Sequence, residues 1–364
     1  MKTRVLDRHH VSRIVAEVGR DALMDEMIAE LTNAIAGLDD QATVVRARDG
    51  FRYERPDVGL VEWMPVLADG GQVTIKVVGY HPTNPSRRSL PTIVATVSVY
   101  DTVTGHLTGL VDGTFLTALR TGAASAVASR VLARPDAGTL GLVGCGAQAV
   151  TQLHAMARTF DVERVLVHDI DPATAASFRE RAAGLVPDGT PIELASLEDL
   201  LASSDIVCTQ TSIAAGGGPL FDHADVRPWL HINAIGSDLP GKTELPRSLL
   251  TRALVCPDHL EQALAEGECQ QLDPGEIGPS LDQVVVDADR YRSARDRLTV
   301  FDSTGWAVED HVAAQMLFRH ANRMGLGILL EVESLGGDPK DPYDLGSPVL
   351  AATRWSPPAA AEGA

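Results

Sequence analysis

Two cations and one acid in this sequence are of the types that would hold an amino acid. Lys76 stands in the middle of an apolar run, residues 73–78, where strand alternation separates it from the larger apolar side chains. Arg120 lies in an Ala-rich segment, at the start of a predicted helix, and its planar guanidinium suits bidentate pairing with a carboxylate. A solvated position is the alternative interpretation for Lys76, and the spacing does not show that the two cations and the acid meet.

The acid is Asp238, in the loop GSDLPGKTE that follows the apolar run Leu230–Ile235. A glycine-relieved loop at the carboxyl end of a strand can set a carboxylate beside a bound ligand, where proton transfer to or from an amine is useful. Asp238 is therefore the candidate acid/base. A turn aspartate, or a salt bridge to Lys242, is the alternative interpretation.

A dinucleotide-type motif, GxGxxA, begins at Gly144. It follows a predicted strand at 139–143 and precedes a helical pattern that extends to about Arg158. In such a motif the first glycine permits a tight turn and the second, Gly146, lets backbone approach a pyrophosphate at the helix N-terminus. The sequence therefore predicts a dinucleotide site.

A second predicted strand, residues 164–168, ends in Asp169 at the distance expected for a ribose-binding acid. A carboxylate there can accept hydrogen bonds from the adenosine ribose and would repel a 2′-phosphate, which favours NAD over NADP. An ordinary glycine turn with a helix-capping Asp171 is the alternative. Farther on, the predicted strand 205–209 ends in Thr209, which either lines the cofactor or belongs to an ordinary loop.

Two kinds of secondary structure must position these residues. Apolar periodicity predicts one or two amphipathic helices over residues 11–38, and Val/Ile/Thr-rich runs then predict a separate sheet. Its predicted strands are 73–78, 93–99 and 107–111. After a predicted helix over 120–133, strands alternate with helices from Thr139 to about Gly305, as in a doubly wound parallel sheet.

A last predicted helix, residues 306–325, resembles none of the alternating units and is expected to return to the first domain. The sequence thus predicts an α/β protein: a Rossmann-type doubly wound parallel sheet domain over 126–305 and a discontinuous α+β domain over 1–125 and 306–355. Residues 356–364 are predicted to be a disordered tail.

Composition limits the classes of partner. The 364 residues contain 31 Lys plus Arg against 49 Asp plus Glu, a net charge of −18, which disfavours nucleic acid and anionic membrane surfaces. The first ten residues do not form a signal peptide, and no apolar run approaches the roughly 20 residues that span a bilayer, so we expect a cytoplasmic protein. The four cysteines are widely spaced, which indicates reduced, packed thiols and no metal site.

Three segments, Leu116–Ala123 (LTALRTGA), Gly144–Ala149 (GCGAQA) and Gly236–Pro246 (GSDLPGKTELP), resemble the ornithine cyclodeaminase and mu-crystallin family. The resemblance extends over nearly the whole chain. Further segments most resemble the members of that family that act on L-lysine; these are residues 62–65 (EWMP), 76–82 (KVVGYHP), 266–272 (EGECQQL) and 301–305 (FDSTG).

The resemblance implies roles for individual residues. Lys76 and Arg120 would hold the substrate carboxylate, Asp238 would carry protons as the main catalytic residue with Lys76, and Glu62 would lie near the substrate. An N-terminal arginine would also contact the carboxylate; Arg48 matches best, with Arg46 and Arg52 nearby. The positions that match cofactor contacts are Thr121, Gly144, Gly146, Ala147, Gln148, Asp169, Thr209, Asn233, Ser237 and Ser303.

The reaction implied by the resemblance is the cyclisation of L-lysine to L-pipecolate with loss of ammonia, using NAD that is recycled within each turnover. The implied assembly is a homodimer built on the first domain, which would be the substrate-binding and dimerisation domain. Three other functions stay open: conversion of L-ornithine to L-proline, net hydride transfer by an NAD-dependent amino-acid dehydrogenase or ketimine reductase, and ligand binding without catalysis as in mu-crystallin.

Overall fold

A computed structural model describes residues 1–39, 41–223 and 225–345. Within these ranges the chain forms two β-sheets flanked by helices, and no helix there is long and apolar enough to cross a membrane. The predicted tail, 356–364, and the end of the predicted first domain, 346–355, lie outside the described residues.

The strands of the described ranges divide between an eight-stranded sheet and a seven-stranded sheet. They are β1 (Thr3–Leu6), β2 (Val44–Val45), β3 (Asp49–Tyr53), β4 (Gly59–Ala68), β5 (Gln72–Tyr80), β6 (Ile93–Asp101), β7 (Leu107–Asp112), β8 (Thr139–Val143), β9 (Arg164–His168), β10 (Ile192–Leu194), β11 (Ile206–Thr209), β12 (His231–Ala234), β13 (Leu254–Pro257), β14 (Thr299–Asp302) and β15 (Ile328–Leu330).

The first sheet has the order β15-β1-β7-β6-β5-β4-β2, with β3 also paired to β4. Its pairs are antiparallel except β1 with β7. Strands β5, β6 and β7 contain the three predicted strands, whereas β1 to β4 and β15 were not predicted. One face of β4 and β5 is buried, and Glu62 and Lys76 both lie on it. The sheet therefore directs two predicted site residues inward.

The second sheet has the order β10-β9-β8-β11-β12-β14-β13, and all its pairs are parallel. Alternate residues of a strand enter two separate cores: Ile206 and Cys208 pack in one, and Val207 between them packs in the other. This confirms the predicted doubly wound α/β architecture. The strand order reverses between β8 and β11, which is where such sheets bind ligands.

The helices include two that open the chain, as predicted, and one long buried helix between the sheets. They are α1 (Arg8–Val18), α2 (Arg20–Ala36), α3 (Asn84–Arg88), α4 (Gly113–Leu132), α5 (Ala147–Ala157), α6 (Pro172–Arg181), α7 (Leu197–Ser203), α8 (Arg247–Leu250), α9 (Leu260–Ala265), α10 (Leu281–Val286), α11 (Ala288–Tyr291) and α12 (Ala307–Met324). Short 3₁₀ helices cover Glu268–Gln271, Pro274–Glu276 and Arg292–Asp296.

Helix α4 joins the two halves of the fold, because it contacts β6 of the first sheet and β12 and β14 of the second. The prediction that this helix starts at Arg120 was wrong. It starts at Gly113, where the Asp112 side chain accepts a hydrogen bond from the Thr114 amide at 3.0 Å and caps the helix. Arg120 therefore lies in the helix interior. Gly122 allows close contact with α5, since a Cβ there would be 2.6 Å from the Thr151 carbonyl oxygen.

Helix α12 follows the second sheet in sequence but packs against elements of the first half of the chain, namely α2, α4, β4 and β5. Its first turn carries Glu309 and Asp310, both buried. The packing is the one expected for a helix that returns to the first domain. The domain limits themselves stay a prediction.

Candidate active site

The predicted dinucleotide loop connects β8 to α5. Gly144 has a φ of +89°, which favours glycine, and a Cβ there would be 3.0 Å from the Gln210 carbonyl oxygen. At Gly146 nothing lies within 4 Å of the position of a Cβ. Helix α5 starts at Ala147 with no side-chain cap on its first amides, and Gln148 follows in its first turn. Open space in front of uncapped amides fits a pyrophosphate group.

Asp169 directly follows β9 and lies beside this loop. Its carboxylate accepts hydrogen bonds from the amides of Cys145, at 2.7 Å, and Asp171, at 2.9 Å. A carboxylate has about four acceptor positions, so two are left for ribose hydroxyls. The alternative proposed for Asp171 is also observed, because its side chain accepts from the amides of Ala173 and Thr174 and caps α6. The helix cap and the ribose-type acid are therefore separate residues.

The other predicted cofactor residues have side chains that are engaged within the protein. The Thr121 hydroxyl donates to the Thr117 carbonyl oxygen, and the Thr209 hydroxyl donates to Glu244 at 2.6 Å. The Asn233 amide is buried against Ser129 of α4. Two further side chains are held in the same way: the Ser237 hydroxyl donates to the Lys242 carbonyl oxygen and the Ser303 hydroxyl to Asp258. Their predicted cofactor contacts stay predictions.

Lys76 and Arg120 are buried and share one carboxylate. The Lys76 Nζ is 2.8 Å from Asp310 Oδ2, and Arg120 Nε is 3.1 Å from Asp310 Oδ1. Arg120 also donates to Glu309, 2.5 Å away. Burial, reinforced by the charge of Arg120, lowers the pKa of Lys76 to about 8, while burial raises the pKa of Glu309 to about 7. The structure thus brings together two cations that the sequence could not place side by side.

Arg48 is the third cation of this cluster of charged side chains, which forms the candidate substrate cleft. It donates to the carbonyl oxygen of Gly305 at 3.0 Å and lies 2.8 Å from Glu266 and 3.5 Å from Glu62. Gly305 in turn touches Arg120, because a Cβ at Gly305 would be 2.6 Å from an Arg120 nitrogen. The two other candidate arginines, at 46 and 52, are exposed. This placement favours Arg48 as the arginine implied by the resemblance.

Two carboxyl groups beside Arg48, those of Glu266 and Glu62, have raised pKa values. Burial raises the pKa of Glu266 to about 8 against the lowering effect of Arg48, and the charges of Glu62 and Asp238 add to the rise. Burial likewise raises the pKa of Glu62, and the Asp238 charge adds to it. Near neutral pH Glu266 can therefore take up or release a proton.

Asp238 lies at the edge of the same group, and its side chain is 30% exposed. The salt bridge to Lys242 that was the alternative interpretation is present, with 2.8 Å between Lys242 Nζ and Asp238 Oδ1. Lys242 is itself buried and lies over the ring of Tyr80, 5.3 Å from its centre. Asp238 therefore forms the ion pair with Lys242 and is also close enough for its charge to act on Glu266 and Glu62.

Four residues of the cleft had not been predicted as site residues: Glu266, Glu309, Asp310 and Lys242. The sequence contains one local indication for Glu309 and Asp310. Adjacent acids in the first turn of a helix stabilise its N-terminus and can also pair with a nearby cation. Glu266 and Lys242 lie within segments that had been singled out, but their burial depends on distant parts of the chain.

A glycine loop at the edge of a parallel sheet, next to a cleft of buried cations and acids, defines an α/β enzyme of the dinucleotide-binding class. A family model described as the ornithine cyclodeaminase/mu-crystallin family matches residues 8–324. The chain therefore belongs to the ornithine cyclodeaminase/mu-crystallin family.

Individual relatives agree with this membership. The chain is 44% identical to an L-lysine cyclodeaminase of Streptomyces rapamycinicus over 346 residues, which is 95% of this chain and all of the relative. A solved lysine cyclodeaminase, described as recognising L-lysine, L-ornithine and L-2,4-diaminobutyric acid, is 49% identical with a TM-score of 0.92, covering 95% of this chain and all of that one. An archaeal alanine dehydrogenase dimer with bound NAD is 27% identical with a TM-score of 0.80, covering 92% of this chain and all of that one.

The lowered pKa of Lys76 predicts how carboxylate binding depends on pH. Only the protonated ammonium attracts an anion, and its pKa is lowered from 10.5 to about 8, so the cation is present below that pH and is lost above it. We expect the affinity for L-pipecolate, measured by calorimetry in the presence of NAD, to fall between about pH 7 and about pH 9.5. In Lys76→Arg, whose guanidinium stays charged, the fall should be smaller, and the part that remains comes from the ionisation of Glu266, whose pKa is raised to about 8. A wild-type affinity that is constant over this range would contradict the prediction.

Proposed function

We propose that this chain is a lysine cyclodeaminase, which converts L-lysine to L-pipecolate and ammonia with NAD restored in each turnover. The observation that carries the proposal is that the buried cations Lys76 and Arg120 lie near the carboxyl groups of Glu266 and Asp238. Arg48 links the two groups, because it lies 2.8 Å from Glu266 and donates to Gly305, which adjoins Arg120. The cations suit the carboxylate of an amino acid, and the acids suit a second amine. The L-lysine cyclodeaminase that is 44% identical over its full length supports the same substrate.

The cation side would hold the substrate carboxylate. An ammonium has three donors and a guanidinium has five, so Lys76, Arg120 and Arg48 each keep donors beyond their present contacts. Asp310 and Glu309 hold the first two in place. The paired acids keep these charges oriented before the substrate arrives, so that less ordering is needed on binding.

The acid side would manage protons at the distal amine. Only an unprotonated amine is a nucleophile, and we assign its deprotonation to Asp238, which would later assist departure of ammonia. Glu266, with its pKa raised to about 8, is placed to exchange protons near neutrality. With both ends of the substrate held, attack of the distal amine becomes an intramolecular, oriented step.

The residues of the glycine loop fit NAD. Bound NAD would supply a hydride acceptor for the substrate Cα and a hydride donor for the ring that forms. Gly144 and Gly146 leave room for the pyrophosphate at the start of α5, and Asp169 offers acceptors to the ribose. A 2′-phosphate beside the Asp169 carboxylate would be repelled. NAD-bound relatives of the same fold support this assignment.

Cyclisation of L-ornithine to L-proline is the second candidate function. It is favoured by the solved lysine cyclodeaminase, which is described as recognising L-ornithine as well as L-lysine. One methylene changes binding in a pocket by only about 1–3 kcal/mol, so activity on both substrates is compatible with one cleft.

The decisive test of the proposal is product analysis with catalytic NAD. L-Lysine should give L-pipecolate and ammonia in equal amounts without net NADH, as measured by chromatography and NADH absorbance. NADP, tested in parallel, should support turnover poorly because of Asp169. Steady accumulation of NADH would indicate a dehydrogenase instead, and faster formation of proline from L-ornithine would indicate the second candidate. Absence of turnover with both diamino acids would point to a binding protein.

Asp238→Asn tests proton transfer separately from folding. The amide keeps the size of the side chain but removes its basicity, so kcat should fall by about 10²–10⁴-fold. NAD affinity should stay close to that of the unmodified protein and the variant should still fold, but its thermal stability should fall because the buried Lys242 loses the carboxylate that pairs with it. The matched control is Asp289→Asn, since the Asp289 side chain is 91% exposed and forms an equally local ion pair with Arg292, three residues away. Equal activity of the two variants would show that Asp238 is a turn aspartate without a role in proton transfer.

The outer face of the first sheet is the surface that we assign to a second copy of the chain. Along β4, β5 and β6 this face carries apolar side chains, including Val61, Trp63, Val77 and Val94. Val77 and Val94 are 39% and 47% exposed, and the face borders a cavity lined by both. Contiguous apolar surface of this kind marks an interaction site. The archaeal alanine dehydrogenase is described as a dimer, which supports this assignment.

The cytoplasmic location expected from the sequence stays a prediction.

A charge on this face should separate the copies. Val94→Glu is expected to shift the protein from dimer to monomer in sedimentation experiments, because an interface core excludes unpaired charges. Val103→Glu is the control, since Val103 is 88% exposed in the turn between β6 and β7. If both variants sediment like the unmodified protein, the interface lies elsewhere or the protein does not dimerise.

A further inference from the structure

Three fully buried carboxylates stand in series behind the cleft: Asp302 at the end of β14, Glu268 in a 3₁₀ helix, and Glu244 at the end of the loop that carries Asp238. Asp302 accepts hydrogen bonds from the amides of Glu268 and Cys269, both at 2.8 Å. Glu268 accepts from the amides of Glu244, at 2.7 Å, and Leu245, at 3.2 Å. Each carboxylate therefore holds the backbone of the next.

Glu244 completes the series at the sheet edge. It accepts from the amides of Gly236 and Thr211, at 3.0 and 2.6 Å, and from the Thr209 hydroxyl at 2.6 Å. These donors lie at or just beyond the carboxyl ends of β11 and β12, where parallel sheets bind ligands. The loop of residues 236–244 is thus held at both ends by carboxylates: Glu244 binds its first amide and Glu268 its last.

These carboxylates are costly to bury. In the described ranges no Lys or Arg nitrogen lies within 4 Å of any of the three. Burial raises the pKa of Glu244, raises that of Asp302 to about 7 and raises that of Glu268 well above its ordinary value. A neutral amide would avoid the cost of desolvating a charge but would accept at only one atom. A carboxylate can instead accept hydrogen bonds from two adjacent backbone amides, one at each oxygen.

Two glycines show how tightly the carboxylates press on the backbone. A Cβ at Gly236 would lie 2.3 Å from a Glu244 carboxylate oxygen, and one at Gly267 would lie 2.6 Å from an Asp302 oxygen. Asp238 follows the first glycine by two residues, and Glu266 directly precedes the second. The clamped points are therefore next to both acids of the cleft.

Gln270 connects the same two segments from the other side. Its side-chain oxygen accepts from the Gly241 amide at 2.7 Å, and its side-chain nitrogen donates to the carbonyl oxygens of Lys242, at 3.0 Å, and Gly267, at 2.7 Å. The loop with Asp238 and the turn with Glu266 are thus fixed relative to each other as well as to the sheet.

We propose that Asp302, Glu268 and Glu244 are positioning residues that hold the backbone of Asp238 and Glu266 in a fixed position relative to Lys76 and Arg120. They do not touch the substrate. The inference rests on the proposed function, and it assigns to this series the placement of the distal amine during ring closure. A misplacement of about 1 Å can cost about 10²-fold in rate, so the effect is measurable.

The main test is Glu268→Gln, which keeps the shape of the side chain but can accept from only one of the two amides. We expect kcat for L-lysine to fall by about 10- to 100-fold with little change in KM, because Lys76, Arg120 and Arg48 are untouched. Amide exchange in residues 236–245, followed by mass spectrometry, should accelerate by about tenfold or more.

Asp258→Asn is the matched comparison, since it also changes a buried acid that holds backbone. Asp258 accepts from the Gly305 amide at 2.7 Å, on the cation side of the cleft, so this variant should raise KM instead. If Glu268→Gln and Asp258→Asn change kcat and KM in the same proportion, the series is merely structural and the proposal is wrong. Unchanged exchange in residues 236–245 would also overturn it.

Gln270→Leu keeps the test open if Glu268→Gln does not fold. Gln270 is only partly buried, and its loss should loosen the same loop and lower kcat in the same direction. Exchange in the unmodified protein is a further check: the amides of Gly236, Glu244 and Leu245 should be protected although they lie outside regular strands. Failure of the proposed function is distinguishable, because the exchange measurements need no turnover.

Discussion

Two buried cations that share one carboxylate set the constraint on which the rest of the cleft depends. Lys76 comes from β5, Arg120 from α4 and Asp310 from α12, so three elements distant in sequence must meet at one point. Charges removed from water cost several kcal/mol each unless they are paired in good geometry. A shift of α12 or a slip in the register of β5 would leave one of them unpaired. The packing of the first sheet is thereby coupled to the chemistry.

The two sides of the cleft are held by different means. On the cation side, Lys76 and Arg120 come from regular elements and pair with Asp310 of a third, so their positions follow from helix and strand packing. On the acid side, Asp238 and Glu266 lie in a loop and a turn, where no regular hydrogen-bond ladder fixes the backbone. Buried carboxylates supply the missing backbone partners there. Both solutions place charge in the interior, but one orients side chains and the other orients main chain.

The sequence predicted best what is local in the chain. Gly144, Gly146 and Asp169 belong to one strand–helix–strand unit, so their order and spacing define the nucleotide loop. Lys76 and Arg120 were identified one at a time, because the partner that joins them, Asp310, is 234 residues beyond Lys76. The error at the start of α4 had a local cause: the capping Asp112 precedes a Gly-Thr pair, which was read as part of a strand region.

The acids of the cleft show why the remainder could not be predicted. Nothing in the local sequence of Glu266 indicates burial, because the groups that enclose it come from β4, from Arg48 and from the loop at Asp238. Its raised pKa is a product of that long-range assembly. Lys242 is similar, since its salt bridge was foreseen from spacing alone but its burial against Tyr80 of β5 was not.

Helix α4 also limits how this protein can be recombined with its relatives. Arg120, which pairs with Asp310, and Thr121, at a predicted cofactor position, are consecutive residues of one helix that touches both sheets. Gly122 next to them lies close to the backbone of Thr151 in α5. A chimaera with its crossover between Gly122 and Thr151 would combine the α4 of one parent with the α5 contact surface of the other. Crossovers placed before Gly113 or after Ala157 would keep both helices from the same parent.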